Sequence, residues 1–253
     1  MQHNHNHEHH HSGPAAFEVI LKNKETVADG TMAFFFEKPK GLTFRAGQHL
    51  NMKLVNPPET DAEGNSRHFS LANSPAEKEL LFAMRMRDTA FKRVLGRMET
   101  GNKVAVEHIH GSFILHNDPS KPAVFLIGGI GITPALSIIK DATERILQHQ
   151  IYLFYSNKRS EDAAFLKELE ELAKANPFFT LIATMTEPEK SAINWQGETG
   201  YIDRSMIERY VGDIQLPIYY LAGPPSMVAA MKELLTNSGV NEDNMRTEEF
   251  TGY

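Results

Sequence analysis

The rhythm of apolar residues changes once along this chain, near Pro122, and no other feature constrains the fold as much. Between Phe17 and about Phe113 the runs are short, alternating or apolar, and broken by turn residues: FEVILKN, TMAFFFEK, LTFRAGQHLNMKLV, RHFSLAN, LLFAMRMR and KVAVEHI. Alternation with a period of two buries one face of a strand, and six such strands in succession imply a small antiparallel β-barrel. One helical stretch interrupts them, from Thr89 to Met98, where Phe91, Val94, Leu95 and Met98 recur at helical spacing behind Thr89 as N-cap. After Pro122 the order becomes AVFLIGG, PALSIIKDATERIL, IYLFYS, AAFLKELEELAKA, FTLIATM, SMIERYV, IYYLAG and MVAAMKELLTNSG. Continuous apolar strands alternating with amphipathic helices signal a parallel sheet covered on both faces, a doubly wound α/β domain. The two prolines of Asn117-Asp118-Pro119-Ser120-Lys121-Pro122 mark the junction. The expected organisation is therefore a barrel over 17–118 and an α/β domain over 119–253. Residues 1–16 carry six of the twelve histidines and nothing that could form a core. They read as a disordered His-rich tag or tail, although clustered imidazoles also bind divalent metals.

Composition removes several function classes. A net charge of -6 works against a nucleic-acid partner, which needs a basic face to neutralise phosphates. No apolar run approaches the roughly 20 residues that span a bilayer, so no membrane insertion is expected, and no secretory leader pattern is evident. A cytoplasmic setting is the default. The chain has no cysteine, which excludes disulfides, thiolate nucleophiles and Cys-ligated iron–sulfur clusters. His108 and His110 point to one face of a strand but lack an evident third ligand, so no metal is expected.

Three motifs carry chemistry. Gly128-Gly129-Ile130-Gly131-Ile132-Thr133-Pro134 lies between a strand and a helix. Glycines there let the backbone approach a pyrophosphate while the helix start directs its N–H groups at the phosphates, and Pro134 in the first turn wastes no hydrogen bond. Alone it is also a tight turn that lets helix pack on strand. Ala222-Gly223-Pro224-Pro225-Ser226-Met227 again follows an apolar strand and precedes a helix, forming a rigid lip at the same sheet edge, or simply a helix start. In the barrel half, Arg67-His68-Phe69-Ser70 offers an arginine, an aromatic and a hydroxyl on one strand. These suit the pyrophosphate, the ring face and a ring nitrogen of a flavin dinucleotide, and equally a surface arginine beside a core phenylalanine.

Together, in this order and spacing, the three motifs resemble the ferredoxin–NADP reductase superfamily of flavoenzymes, over nearly all of the chain from about Phe17 to Tyr253. The resemblance implies that Arg67, His68, Phe69 and Ser70 bind FAD. It implies that Gly128, Gly129, Gly131, Thr133 and Pro134 bind the pyridine nucleotide, with Gly223, Pro224, Pro225 and Met227 beneath the nicotinamide. Ala222 stands where cysteine is usual. Phe44-Arg45-Ala46-Gly47-Gln48-His49 looks like the family's Phe-x-Pro-Gly-Gln segment, with Ala46 in place of proline. Arg85, Arg87 and Thr89 match the region that closes on the flavin pyrophosphate. Gly111-Ser112-Phe113 resembles the end of a Gly-Pro-x-Gly-x-Phe turn whose first half is replaced by His108-Ile109-His110. The ending Glu248-Glu249-Phe250-Thr251-Gly252-Tyr253 resembles the family's flavin-covering aromatic with a nearby carboxylate. Ser70, Glu249 and Phe250 are thus expected at the hydride-transfer step, with Glu248 the alternative carboxylate and Tyr253 the alternative aromatic.

The reaction so implied is hydride transfer from NADPH or NADH to FAD, followed by delivery to a separate acceptor: an iron–sulfur protein such as ferredoxin, a flavodoxin, an oxygenase component or a small molecule. A flavin- or nucleotide-binding sensor, or a regulatory subunit without turnover, is the alternative. Ser156-Asn157-Lys158-Arg159 ends the second strand of the α/β half, where the adenosine ribose lies in a doubly wound sheet. Basic residues there accept a 2′-phosphate, so NADPH is expected over NADH, although Glu161 and Asp162 follow at once.

Overall fold

The computed structural model describes residues 16–250. The expectation for residues 1–16 lies outside these except at Ala16, and that for Tyr253 lies outside them altogether. The first half folds as β1 (Phe17–Ala28), β2 (Thr31–Glu37), β3 (His49–Leu54), β4 (Ser66–Ser70), β5 (Glu79–Arg85), α1 (Ala90–Arg97) and β6 (Lys103–His110). All pairings in this sheet are antiparallel, in the order β4-β3-β6-β1-β2-β5. Ala72 N donates to Leu81 O at 2.9 Å, joining the segment after β4 to β5 and curling the sheet toward a barrel. Its interior is filled by alternate residues of each strand, among them Leu21, Phe34, Phe36, Leu50, Met52 and Phe82, and α1 plugs one end with Phe91 and Leu95. Thr89 caps α1 by accepting from Lys92 N.

The second half comprises β7 (Ala123–Gly128), α2 (Ile132–Glu144), β8 (Ile151–Asn157), α3 (Leu166–Ala175), β9 (Phe179–Met185), β10 (Glu198–Thr199), α4 (Arg204–Val211), β11 (Ile218–Gly223), α5 (Pro225–Asn237) and β12 (Met245–Glu249). The sheet is parallel, ordered β10-β9-β8-β7-β11-β12. One face, with Phe125, Ile127, Leu153 and Tyr155, packs under α2 and α3; the other, with Val124, Leu126, Phe154 and Ile182, packs under α4 and α5. Being covered on both sides, β7 and β11 are buried at every residue. The two-domain fold read from the apolar rhythm is the observed one. β12 is an addition to that reading: it forms an edge strand beside β11.

The two halves share a core. Small barrel residues Ala33, Ala46, Ala72 and Ala83 meet Ile132, Leu136 and Ile139 of α2, a close approach that larger side chains would prevent. Ser137 Oγ donates to Asn73 O at 2.6 Å, and the nearly buried Lys140 ammonium lies 3.2 Å from Glu77 and 2.7 Å from Glu168. These contacts fix α2 against the barrel. Among the described residues no helix is long and apolar enough to cross a membrane.

Candidate functional site

The order of the parallel sheet reverses between β8-β7 and β11-β12, so the crevice of this fold opens beyond the carboxyl ends of β7 and β11. Gly128 ends β7 and Gly223 ends β11. The Gly128–Pro134 and Ala222–Met227 turns are therefore brought face to face. A Cβ at Gly131 would sit 2.6 Å from the Ala222 carbonyl carbon and oxygen and 2.7 Å from Gly223 N, so only glycine allows this approach. Met227 and Pro224 fill the space over Gly128 in the same way. Ser156 is the register partner of Gly128 on β8, which places the Ser156–Arg159 segment along the same edge.

Where this edge meets the barrel there is a cleft of about 730 Å³. From the barrel it is lined by His49, Arg67, His68, Phe69, Ser70, Arg85, Arg87 and Thr89, and from the α/β domain by Ile130, Thr133, Glu248, Glu249 and Phe250. The other nucleotide candidates, Gly128, Gly129, Gly131, Pro134, Ser156, Asn157, Arg159, Gly223, Pro224, Pro225 and Met227, lie outside its lining, on the sheet edge next to it. Gly111 sits behind the wall, its φ of +118° bringing its backbone against the His49 ring.

One end of the cleft is cationic. Lys92 stands in the first turn of α1, which has no acidic residue. A cation there opposes the helix dipole. Burial, with Arg87 and Arg67 nearby, pushes the Lys92 ammonium below its ordinary range. Like charges crowded at a helix start form an anion site, and the pyrophosphate of a dinucleotide fits it. Arg67 is currently held by Asp61 at 3.1 Å and Glu63 at 2.9 Å, and its guanidinium lies over the Phe91 ring, 5.3 Å from the centroid. Phe69 completes an aromatic wall 5.8 Å from Phe91.

The other end carries a hydroxyl and a carboxyl. Ser70 Oγ donates to Glu248 Oε1 at 2.6 Å, and His49 Nδ1 is 3.9 Å from the same oxygen. Successive residues of a strand point to opposite faces, so Glu248 turns to Ser70 while Glu249 is exposed at the rim. Of the two carboxylates weighed from sequence, it is Glu248, not Glu249, that touches Ser70. Phe250 N donates to Gly223 O at 3.0 Å, pinning the residue after β12 to the switch-point turn.

Burial pushes the Glu248 carboxyl above its ordinary range, against the opposing effect of the Ser70 hydrogen bond. Burial, then the neighbouring His110 and His68, push His49 down to about 4. A carboxyl raised on folding contributes stability that is lost as pH rises from its unfolded value upward. Glu248→Gln keeps an acceptor for Ser70 and removes that loss, so it should melt higher than the parent at pH 8, the gain closing as pH falls to about 4.5. Thermal melts across this range check it; a lower melting temperature at pH 8 would contradict it.

Arg159 is held by two carboxylates. Its Nη2 lies 2.8 Å from Asp162 Oδ1 and 3.0 Å from Asp29 Oδ2, so the cation on which the NADPH expectation stood is already paired. His49 and Lys92 were missed as site residues, and Asp162 was noted only as an acidic neighbour of Arg159. A basic residue in a helix's first turn was the readable signal for Lys92. Three imidazoles, His49, His68 and His110, meet beside Ser70, with His49 and His110 centroids 4.2 Å apart. Among the described residues no group of three or more His, Asp or Glu has the arrangement to hold a metal ion.

Residues 125–233 match the family described as the oxidoreductase NAD-binding domain. The chain is similar to one component of the Na(+)-translocating NADH-quinone reductase of Pseudomonas aeruginosa, 32% identical over 200 residues covering 74% of this chain and 49% of that one. It is also similar to the propane 2-monooxygenase reductase component of Rhodococcus jostii, 28% identical, with 85% and 57% covered. The chain thus spans about half the length of the curated relatives it matches. Among solved structures, the FAD/NAD-binding domain of a Vibrio cholerae nitric oxide dioxygenase superposes with a TM-score of 0.79 at 17% identity, covering 94% of this chain and 98% of that one. A Neisseria gonorrhoeae ferredoxin NADP+ reductase with bound FAD and NADP gives 0.76 at 19% identity, covering 92% and 98%. Together these likenesses match residues 125–233 to the oxidoreductase NAD-binding domain family and give the whole chain the two-domain fold of the ferredoxin reductase-like FAD/NAD-binding structures.

Proposed function

We propose that this chain binds FAD in the inter-domain cleft, receives hydride there from a nicotinamide dinucleotide and passes the electrons to a separate acceptor. The observation that carries the reading is the polarity of the cleft: Arg67, Arg87 and Lys92 at one end, the Ser70–Glu248 pair at the other, and the two nucleotide-domain turns alongside. When bound, the flavin supplies the ring that takes two electrons as hydride; the protein supplies binding and alignment.

Each residue then has a task. Arg67, Arg87 and Lys92 neutralise the pyrophosphate, and three cations at one helix start exceed what a single phosphate needs. Phe69 offers a ring face for stacking. The Ser70 hydroxyl, held by Glu248, would offer a hydrogen bond to a ring nitrogen. Thr133 and the Gly223-Pro224-Pro225 lip would position the nicotinamide, and Phe250 would cover the bound ring when the nicotinamide is absent. Alignment of two bound rings is the main contribution to rate. A relative named as the reductase component of a propane 2-monooxygenase favours a separate protein acceptor, such as an iron–sulfur protein or flavodoxin, over a small molecule.

The assignment of FAD is tested by denaturing the purified protein and weighing the released cofactor. FAD is expected; FMN at full occupancy would overturn the dinucleotide assignment.

A further inference from the structure

The carboxyl end of β8 carries a charge arrangement that discriminates between the two nicotinamide dinucleotides. Asp162 is almost enclosed, its side chain 8% exposed, and grips Arg159 at three points. Its Oδ2 accepts from Arg159 Nε at 3.0 Å and from the Arg159 backbone N–H at 3.1 Å, and its Oδ1 from Nη2 at 2.8 Å. Asp29, in the β1–β2 turn, takes the same Nη2 at 3.0 Å, while Asp29 N donates to Glu161 O at 2.8 Å and so ties the two domains together. The remaining cations are matched as well: Lys158 lies 3.8 Å and Lys190 2.8 Å from Glu187. Glu161, the fourth carboxylate, is held ionised by Ser191 and other donors down to about 2.

A ribose 2′-phosphate brought to this strand end would meet four carboxylates and, counting Arg85, four cations that each already have a carboxylate partner. To recruit Arg159 it would have to leave Asp162 enclosed with only Arg85, 3.6 Å away, as partner. Taking Arg159 away would leave the nearly enclosed Asp162 carboxylate without its closest cation, which is unfavourable. A neutral hydroxyl meets no such obstacle. Asn157, the last residue of β8 and 7% exposed, has a side-chain N–H group, Nδ2, without a hydrogen-bond partner, a donor suited to a ribose hydroxyl.

We infer that Asp162, assisted by Asp29, is a specificity determinant: it withholds Arg159 from a 2′-phosphate, so the dinucleotide with a free 2′-hydroxyl, NADH, is the one taken. This rests on the reading of the switch-point crevice as the nucleotide site, and it reverses the preference suggested by the Ser156–Arg159 sequence.

Calorimetric titration of the flavin-loaded protein with 5′-AMP and with 2′,5′-ADP tests it without turnover. The parent should bind 5′-AMP at least about tenfold more tightly, and Asp162→Asn should narrow that ratio by about tenfold, 1.4 kcal/mol, through a gain in 2′,5′-ADP affinity. Asp29→Asn, on an exposed turn, should narrow it by about threefold and serves if Asp162→Asn fails to fold. Equal or tighter binding of 2′,5′-ADP by the parent, an unchanged ratio in these variants, or a fivefold or greater loss of 2′,5′-ADP affinity in Arg159→Ala, would overturn the inference alone. Failure of the parent to bind either analogue would remove the nucleotide-site reading beneath it.

Discussion

Gly131→Ala should slow reduction of the bound flavin by NADH about a hundredfold while leaving flavin content unchanged. The added methyl would meet backbone atoms of Ala222 and Gly223 at 2.6–2.7 Å, and backbone cannot rotate aside as a side chain can. The two switch-point turns must part. Overpacking of this kind costs about 1–3 kcal/mol in stability, and a displacement of about 1 Å at a reacting pair costs on the order of a hundredfold in rate. Gly131 lies outside the cleft lining, so flavin binding is spared. Stopped-flow rates beside flavin-to-protein ratios read both quantities. A variant with the parent's rate would show that the apposition of the turns does not govern hydride transfer.

Arg67→Ala should weaken flavin binding by about a hundredfold, enough to lose the cofactor on a sizing column. Hydrogen bonds to charged groups contribute about 1.5–3 kcal/mol each, and about 2.7 kcal/mol is a hundredfold. The loss should be larger than for a cation at the rim, because Arg67 stands between Phe91, Lys92 and the helix start. Arg67→Lys should recover only part of it, since an ammonium cannot make the planar two-pronged contact of a guanidinium. Fluorescence titration of flavin into the stripped variants gives the affinities; an unchanged dissociation constant would return Arg67 to its ion pairs with Asp61 and Glu63.

Much of this arrangement was legible because its signals are local. Thr89 three residues before Lys92 caps α1 whatever surrounds it, and the apolar runs of β7 and β11 report burial on both faces directly. What could not be read depends on partners distant in sequence. β12, MRTEE, has no apolar face of its own and becomes a strand only by pairing with β11. Until that pairing is known, Glu248 and Glu249 are interchangeable; the register then turns Glu248 toward Ser70, 178 residues away. The nearer partner of Arg159, Asp162, stands three residues on, but its second, Asp29, lies 130 residues earlier. The small residues Ala33, Ala72 and Ala83 carry no signal of their own in the sequence, yet with Ala46 they let α2 lie close against the barrel.

On the proposed function, this cleft brings a nicotinamide and a flavin into reacting contact. Anaerobic mixing of the flavin-loaded protein with one equivalent of NADH, followed by the visible absorbance of the flavin, tests it most directly. Prompt bleaching is the predicted result; a protein that retains its flavin at full occupancy and is bleached by neither NADH nor NADPH would contradict that function.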